Sequence, residues 1–482
     1  MNYRMISHYI GRILLVESVL LIFPAVGALI YGDDTVLAFA ITIALLTAIS
    51  VASIRKKPQK TNIYAKEGYV IVALSWILMS LFGALPFFIS GYIPNFVDAF
   101  FETVSGFTTT GATILTDVEA LPKSLLFWRS FTHWIGGMGI LVFMIAIMPK
   151  TESSSMHVMR AEVPGPTVGK LVSKLRATAR ILYGIYCVLT LLQIVLLAIG
   201  GMPVFDSIVT SFATAGTGGF GILSNSIEGY NSLYSEIVIG TFMLIFGVNF
   251  NLYYLILAKH AKQALKSEEL RWYVGFVVAS IVIIALSLIN ANYEAGYSFR
   301  HAFFQVASII TTTGFSSTNF DTWPVIAKFI LVFLMFVGAC AGSTGGGMKV
   351  SRVLILIKSG FREIKKAINP RSIETVKVDK RSVDEPVVKS VSVFFATYMI
   401  VTAVSIFILS INGKDLVTTS SAVIACMGNI GPGLAEVGPY GNYADFSMLS
   451  KLVLSFDMLA GRLELIPMLM LFSPYAWARK YS

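Results

Sequence analysis

Residues 107–113 read FTTTGAT, 215–221 AGTGGFG, 311–317 TTTGFSS and 428–433 GNIGPG. Aligned on Gly111, Gly219, Gly314 and Gly431, the four loops share one frame without gaps. Six residues before each glycine stands a small residue: Ser105, Ala213, Ser308 and Ala425. One or two before it stand Thr109, Thr110, Thr217, Thr312, Thr313 and Asn429. Thirteen before it stand Asp98, Asp206, His301 and Thr418, the two aspartates being good helix N-caps. Each loop ends a short apolar stretch, near 97–109, 206–217, 300–312 and 416–428. Ten helical residues rise ~15 Å, about half a bilayer. A half-helix entering from one face therefore stops near the membrane centre, where its C-terminal end carries partial negative charge that favours a cation. The chain must then return in extended form, and irregular backbone at that depth is tolerated only where it is buried in protein or lines water. Four such turns around one axis would present rings of carbonyl oxygens that replace the water shell of an alkali cation. Glycine permits the φ values that aim a carbonyl at the axis. The candidate ion ligands are Thr109, Thr110, Gly111 and Ala112; Gly218, Gly219 and Phe220; Thr312, Thr313, Gly314 and Phe315; and Asn429, Ile430, Gly431 and Pro432. Close helix packing is the competing use of such glycines; a common frame in four loops weighs against it.

Around these loops the chain is strongly apolar. Of its 482 residues, 55% are hydrophobic and 13% charged, against ~25% charged in a soluble domain. Soluble enzymes and nucleic-acid-binding modules are excluded on that ground. Ten runs are long enough to cross a bilayer: 10–31, 35–53, 69–91, 127–148, 181–200, 234–258, 273–292, 325–348, 391–411 and 448–473. Lys and Arg concentrate in 1–12, 54–68, 149–180, 259–272, 349–390 and 479–482, which alternate with loops holding few positive charges. By the positive-inside rule both termini are cytoplasmic and the four short stretches lie on the outer side. The expected fold is an all-α membrane protein of ten transmembrane helices plus four re-entrant half-helices. After a two-helix domain (1–68), four repeats of span, half-helix, loop and span follow, at 69–150, 151–260, 261–370 and 371–482. Such internal repetition implies pseudo-symmetry around a shared site. Cys187, Cys340 and Cys426 lie in apolar stretches and read as packing residues.

Two further features point to a barrier along the same path. The eighth span contains Gly338, Gly342, Ser343, Thr344, Gly345, Gly346 and Gly347, and each Gly is ~1 kcal/mol worse than Ala in a helix. An irregular segment this deep should line the water pathway below the third loop; a helix crossing or a kink would use the same residues. A phosphate-binding loop is excluded, since no strand precedes the segment and no Gly-Lys-Ser/Thr follows. Arg462 lies inside the tenth span, where an unpaired Arg costs at least ~2.5 kcal/mol, so it should face the bundle interior or water. Asp457 and Glu464 are not spaced to share its helix face. His133 and Trp134 read as interface residues, Gly136–Gly139 as helix packing, and Asn249 and Asn251 as helix-to-helix hydrogen bonders.

The loops, the repeat and the extra amino-terminal helix pair resemble the Trk/Ktr/HKT superfamily of potassium transporters, and within it the bacterial TrkH branch, over nearly the whole chain. The resemblance implies four fused units of potassium-channel type in a bacterial inner membrane. It makes the four loops a selectivity filter for K+, with rubidium also passing. Gly111 argues for potassium, because Ser at this place goes with sodium preference in plant relatives. Only the central glycine of the TVGYG pattern of four-chain channels recurs, so fewer ordered carbonyl rings are expected. It makes 338–347 an intramembrane gate, with Arg462, in its GRLE context, beneath the filter as part of the barrier. It also implies a homodimer with one pore per protomer, and a soluble cytoplasmic ring resembling TrkA that carries NAD(H), ATP or ADP. No organic cofactor is expected in this chain, no enzyme activity and no nucleic-acid partner. The basic 349–390 stretch, with a helical pattern near 350–367, could dock an acidic regulator or touch anionic lipid. The alternative is a proton- or sodium-coupled potassium symporter, which needs an ionisable relay in the spans; besides Arg462 and Asp457 the sequence offers little.

Overall fold

The computed structural model describes residues 2–55, 65–139 and 175–477. Part of the basic 54–68 segment, residues 140–148 of the expected fourth span and most of 149–180 lie outside the described residues. The molecule is built almost entirely of apolar helices, as a membrane protein must be when every backbone polar group needs a partner inside the segment. Six described helices are long and apolar enough to cross a bilayer, or seven if the bent pair Leu233–Phe246 and Phe250–Leu257 is one span. One departure from an all-α chain is a short hairpin in which Lys377 and Val378 pair with Ser382 and Arg381. Asp379 and Lys380 at its tip have φ of 50° and 64°, as a two-residue hairpin turn requires.

Tyr3–Tyr31, bent at Leu21, and Val36–Arg55 form the amino-terminal pair and pack on Ala65–Gly83. Four short helices follow at intervals: Phe96–Phe107, Val204–Gly216, Ala295–Ile310 and Leu416–Gly428. Their lengths correspond to ~18–24 Å of rise. Only two of the four starts carry a side-chain cap: Asn95 accepts the Val97 amide at 2.9 Å and Asp415 those of Val417 and Thr418 at 3.0 Å, whereas Pro203 and Glu294 make no such bond, and Asp98 and Asp206, expected as caps, lie in the first turn instead. Each short helix is followed by an irregular return and then by a return helix: Lys123–Gly137, Leu233–Phe246, Val325–Val337 and Met448–Leu463.

These return helices do not run on as the sequence predicts. The 234–258 run breaks at Gly247–Asn249 with a 90° bend. The 448–473 run breaks at Glu464, whose φ is 68°, before Leu465–Phe472. The 325–348 run ends at Val337, and the helix Val350–Ile368 begins only after an irregular loop. Tertiary bonds, described below, satisfy the freed backbone at the first and third of these breaks.

Candidate functional site

The four short helices end identically. Thr109, Thr217, Thr312 and Asn429 hold φ of 54°, 56°, 58° and 55°. The following amide reaches back to the carbonyl of the small residue: Thr110 to Ser105 (2.9 Å), Gly218 to Ala213 (2.8 Å), Thr313 to Ser308 (2.8 Å) and Ile430 to Ala425 (2.9 Å). This is the long bond of a Schellman cap, so the frame read from the sequence is a cap repeated four times. Three of the left-handed residues are β-branched threonines, for which positive φ is a true outlier. Such strain, of order 1–3 kcal/mol each, persists only where surroundings over-determine it, and it clusters at functional sites.

The glycines then lock the loops to one another. A Cβ added at Gly111 would lie 2.0 Å from the carbonyl oxygen of Gly218, and one at Gly219 2.0 Å from that of Thr313. At Gly314 it would lie 2.0 Å from the Ile430 oxygen, and at Gly431 2.6 Å from the Thr110 oxygen. Each of these oxygens belongs to the residue before the next loop's glycine, so the contacts run first to second to third to fourth and back to the first. The ring is closed. The glycines have φ between 74° and 93°, which no β-carbon would tolerate at these separations.

The remaining predicted ligands lie in or against this ring. The Thr108 and Thr110 hydroxyls pair at 2.8 Å, as do those of Thr311 and Thr313. The Asn429 amide donates to Thr110 Oγ1 at 2.9 Å and to the Met458 carbonyl at 2.8 Å. Ala112, Phe220, Phe315 and Ile430 are buried, and Phe315's carbonyl accepts from the Ser308 hydroxyl at 2.6 Å. Pro432 lies beside Gly314. His133 is fully buried behind the second loop, stacked on Phe220 at 4.2 Å and packed against Gly218. The interface reading of His133 is therefore corrected: a polar ring on an apolar helix is here a packing wall.

Against the ring lies the irregular segment 338–349. Cβ atoms at Gly345 and Gly346 would lie 2.9 Å from the Thr311 carbonyl oxygen and 2.7 Å from that of Gly428, at the ends of the third and fourth short helices. The Gly346 amide donates to Thr312 Oγ1 at 2.6 Å, which ties the segment to the third loop. Cys340 N–H donates to Gly247 O and Phe250 N–H to Gly342 O, both at 3.0 Å, occupying groups freed by the break at 247–249. The Glu269 carboxylate accepts the Ala341 amide at 2.7 Å, and the buried Lys349 ammonium donates to the Gly345 carbonyl. Arg462 donates to Thr344 O at 2.6 Å and to Gly136 O and Gly137 O at 2.6 and 2.7 Å. Gly338, Gly342 and Gly347 have φ of 69°, 71° and 72°, so the segment is a set of turns.

Sequence reasoning missed several charged residues here. Glu102, Arg129, Glu236, Glu269 and Lys349 are buried or nearly so among apolar helices, and Glu17 is fully buried as well. The signal was available, since an ionisable residue inside an apolar stretch is a functional-site hypothesis by default. The reading applied it to Arg462 alone. Outside the spans, Asp415's carboxyl is held below the usual carboxylate range by the Thr418 side chain and by the Thr418 and Val417 amides.

The family model TrkH, described as cation transport protein, matches residues 35–479. The Trk system potassium uptake protein TrkH of Salmonella typhimurium is 37% identical, covering 99% of this chain and all of that one. Its counterpart from Vibrio parahaemolyticus is 38% identical with the same coverage. The crystal structure of the potassium transporter TrkH from Vibrio parahaemolyticus superposes with a TM-score of 0.90, at 36% identity over 99% of this chain and 100% of that one. The resemblance carried by the four loops thus extends to sequence and backbone along the whole chain, which belongs to the TrkH family of cation transport proteins, membrane transporters rather than enzymes.

Proposed function

We propose that this chain conducts potassium inward across the bacterial cytoplasmic membrane through a pore whose selectivity filter is the four-loop ring, with rubidium as a second permeant ion. The closed cycle of glycine-to-carbonyl contacts carries the reading: it gathers backbone oxygens from four helix C-termini, where partial negative charge and dehydrated carbonyls suit a monovalent cation. The relatives' names, potassium uptake protein and potassium transporter, agree with it. The ten spans, the four re-entrant half-helices and the four repeats after the two-helix domain belong to this reading, as does the placement of both termini in the cytoplasm.

Segment 338–347 with Arg462 is the gate. It is packed against the ring and held by bonds from four separate parts of the chain, so its displacement would open a path. The basic face of 349–390 docks a soluble regulatory ring resembling TrkA, with NAD(H) and ATP or ADP bound on that partner, and the transporter works as a homodimer. A proton- or sodium-coupled symporter is not favoured: the four loops carry no ionisable side chain, and the buried Glu102 and Glu236 are held in ion pairs with Arg129 and Arg300. Rubidium uptake by liposomes holding this protein, with and without competing sodium, tests the reading. Gly111→Ser and Gly314→Ser should each lower the preference for rubidium over sodium. An unchanged preference in both removes the filter assignment.

A further inference from the structure

We propose that the Glu102–Arg129 ion pair is the positioning element that fixes the first and second loops relative to one another and thereby sets the ion preference of the ring. The inference rests on reading that ring as the selective path.

Glu102 lies on the short helix Phe96–Phe107 and Arg129 on the return helix Lys123–Gly137. Their side chains are 0% and 2% exposed. Arg129 Nε and Nη2 both grip Glu102 Oε1, at 2.8 and 2.7 Å. Oε2 accepts the Ile114 amide at 3.0 Å, and the Thr113 hydroxyl donates to the carboxylate at 2.9 Å. Thr113 and Ile114 are the outward strand of the first loop. The same guanidinium reaches the second loop: Nη1 donates to Gly221 O at 3.3 Å, and Cζ lies 3.9 Å over the Phe220 ring. Phe220 follows Gly219 directly, and its ring also stacks on His133. The first loop is in turn tied to the fourth, since Thr113 O accepts the Tyr443 amide at 2.8 Å and the Tyr443 hydroxyl donates to Gly431 O at 2.8 Å.

Charge and symmetry separate this pair from ordinary packing. A buried ion pair is neutral as a unit, so it adds no net charge to the path, yet its planar fork fixes direction in a way an ammonium cannot. The fold does not demand it, because the positions equivalent to Glu102, nine before the other glycines, hold Thr210, Gln305 and Ala422. The first repeat alone carries the clamp, and it spans two quarters of the ring. Where oxygen spacing discriminates ions of different radius, a clamp on that spacing is a selectivity determinant.

The test uses the full-length protein in planar bilayers and liposomes, reading the rubidium-to-sodium permeability ratio and the rubidium flux separately. Arg129→Lys and Glu102→Gln should each lower the ratio by roughly threefold or more, with flux retained. Should either charge variant fail to give monodisperse protein, Thr113→Val, which keeps both charges paired and removes only the bridging hydroxyl, should lower the ratio to a smaller extent. Gly111→Ser is run alongside. If it shifts the ratio while the variants that fold do not, the pair is mere scaffolding and the inference fails. If Gly111→Ser also leaves the ratio unchanged, the reading of the ring fails and the inference falls with it.

Discussion

Arg462 joins two segments, the turn at Thr344 and the helix end at Gly136–Gly137. Hydrogen bonds from a charged donor contribute roughly 1.5–3 kcal/mol each, so its removal should loosen the segment without unfolding the helices. Arg462→Gln is expected to raise rubidium uptake several-fold in liposomes holding this protein alone. Uptake at or below the wild-type rate, with the protein intact by size exclusion, would contradict a barrier role. Thr217 offers a cleaner measure of backbone strain. Its hydroxyl donates only to its neighbour Gly216, at 2.6 Å, while its backbone occupies a region that Asn tolerates far better. The fourth loop already holds Asn429 at the equivalent position, with φ of 55°. Thr217→Asn should therefore raise the melting temperature by about a few degrees, and a lowered melting temperature would refute the strain argument. At this scale the sequence spoke clearly where chemistry was local: glycines in register, a lone Arg among leucines. It was silent on Glu102 and Arg129, which lie 27 residues apart and acquire meaning only when a helix and its return pack face to face.

Among the elements, the breaks in the return helices were the least legible. Residues 234–258 are apolar enough to read as continuous, with no Pro and no run of Gly to stop a helix, whereas in 448–473 Pro467, three residues past the break at Glu464, was a local signal that the apolar run masked. What ends the helix at Phe246 is remote: the Cys340 amide takes the Gly247 carbonyl, and the Phe250 amide finds the Gly342 carbonyl. The glycine-rich break at 338–347 was readable because its weakness is intrinsic. Glu269 holds that segment from the side, at Ala341, while its neighbour Glu268 accepts the Asp379 amide at the tip of the 377–382 hairpin, at 3.1 Å. The hairpin is thus linked through Glu268 and Glu269 to the proposed gate. Glu269→Ala should raise partner-free rubidium uptake, and an unchanged rate would show that the Ala341 bond bears no restraint. The short helix Leu416–Gly428 gives a prediction in pH. Asp415's carboxyl titrates below its unfolded value, so its contribution is complete above the ordinary carboxylate range and is lost as pH falls through the depressed folded value. Asp415→Asn should flatten the acid limb of the melting-temperature profile, and an identical limb would count against the cap.

For the molecule as a whole, the repeat frame was visible because one backbone cap recurs four times with the same residue sizes. The closure of the ring was not visible, because contacts such as Gly431 to Thr110 span most of the chain. In the proposed function, that closure within one polypeptide makes the ion path complete in one protomer. Mixed dimers of wild type and Gly111→Ser should accordingly give two additive ion-preference components in single-channel records; one blended component would mean that the path is shared. The four quarters of the ring are also unequal: two threonines before the glycine in the first and third loops, Thr217 and Gly218 in the second, Asn429 and Ile430 in the fourth. In the proposed filter, a single codon change thus alters one side of the ion's coordination shell and leaves three sides as they were. Ion preference can drift by small increments in such a lineage, whereas an assembly of four identical chains must accept every substitution in quadruplicate.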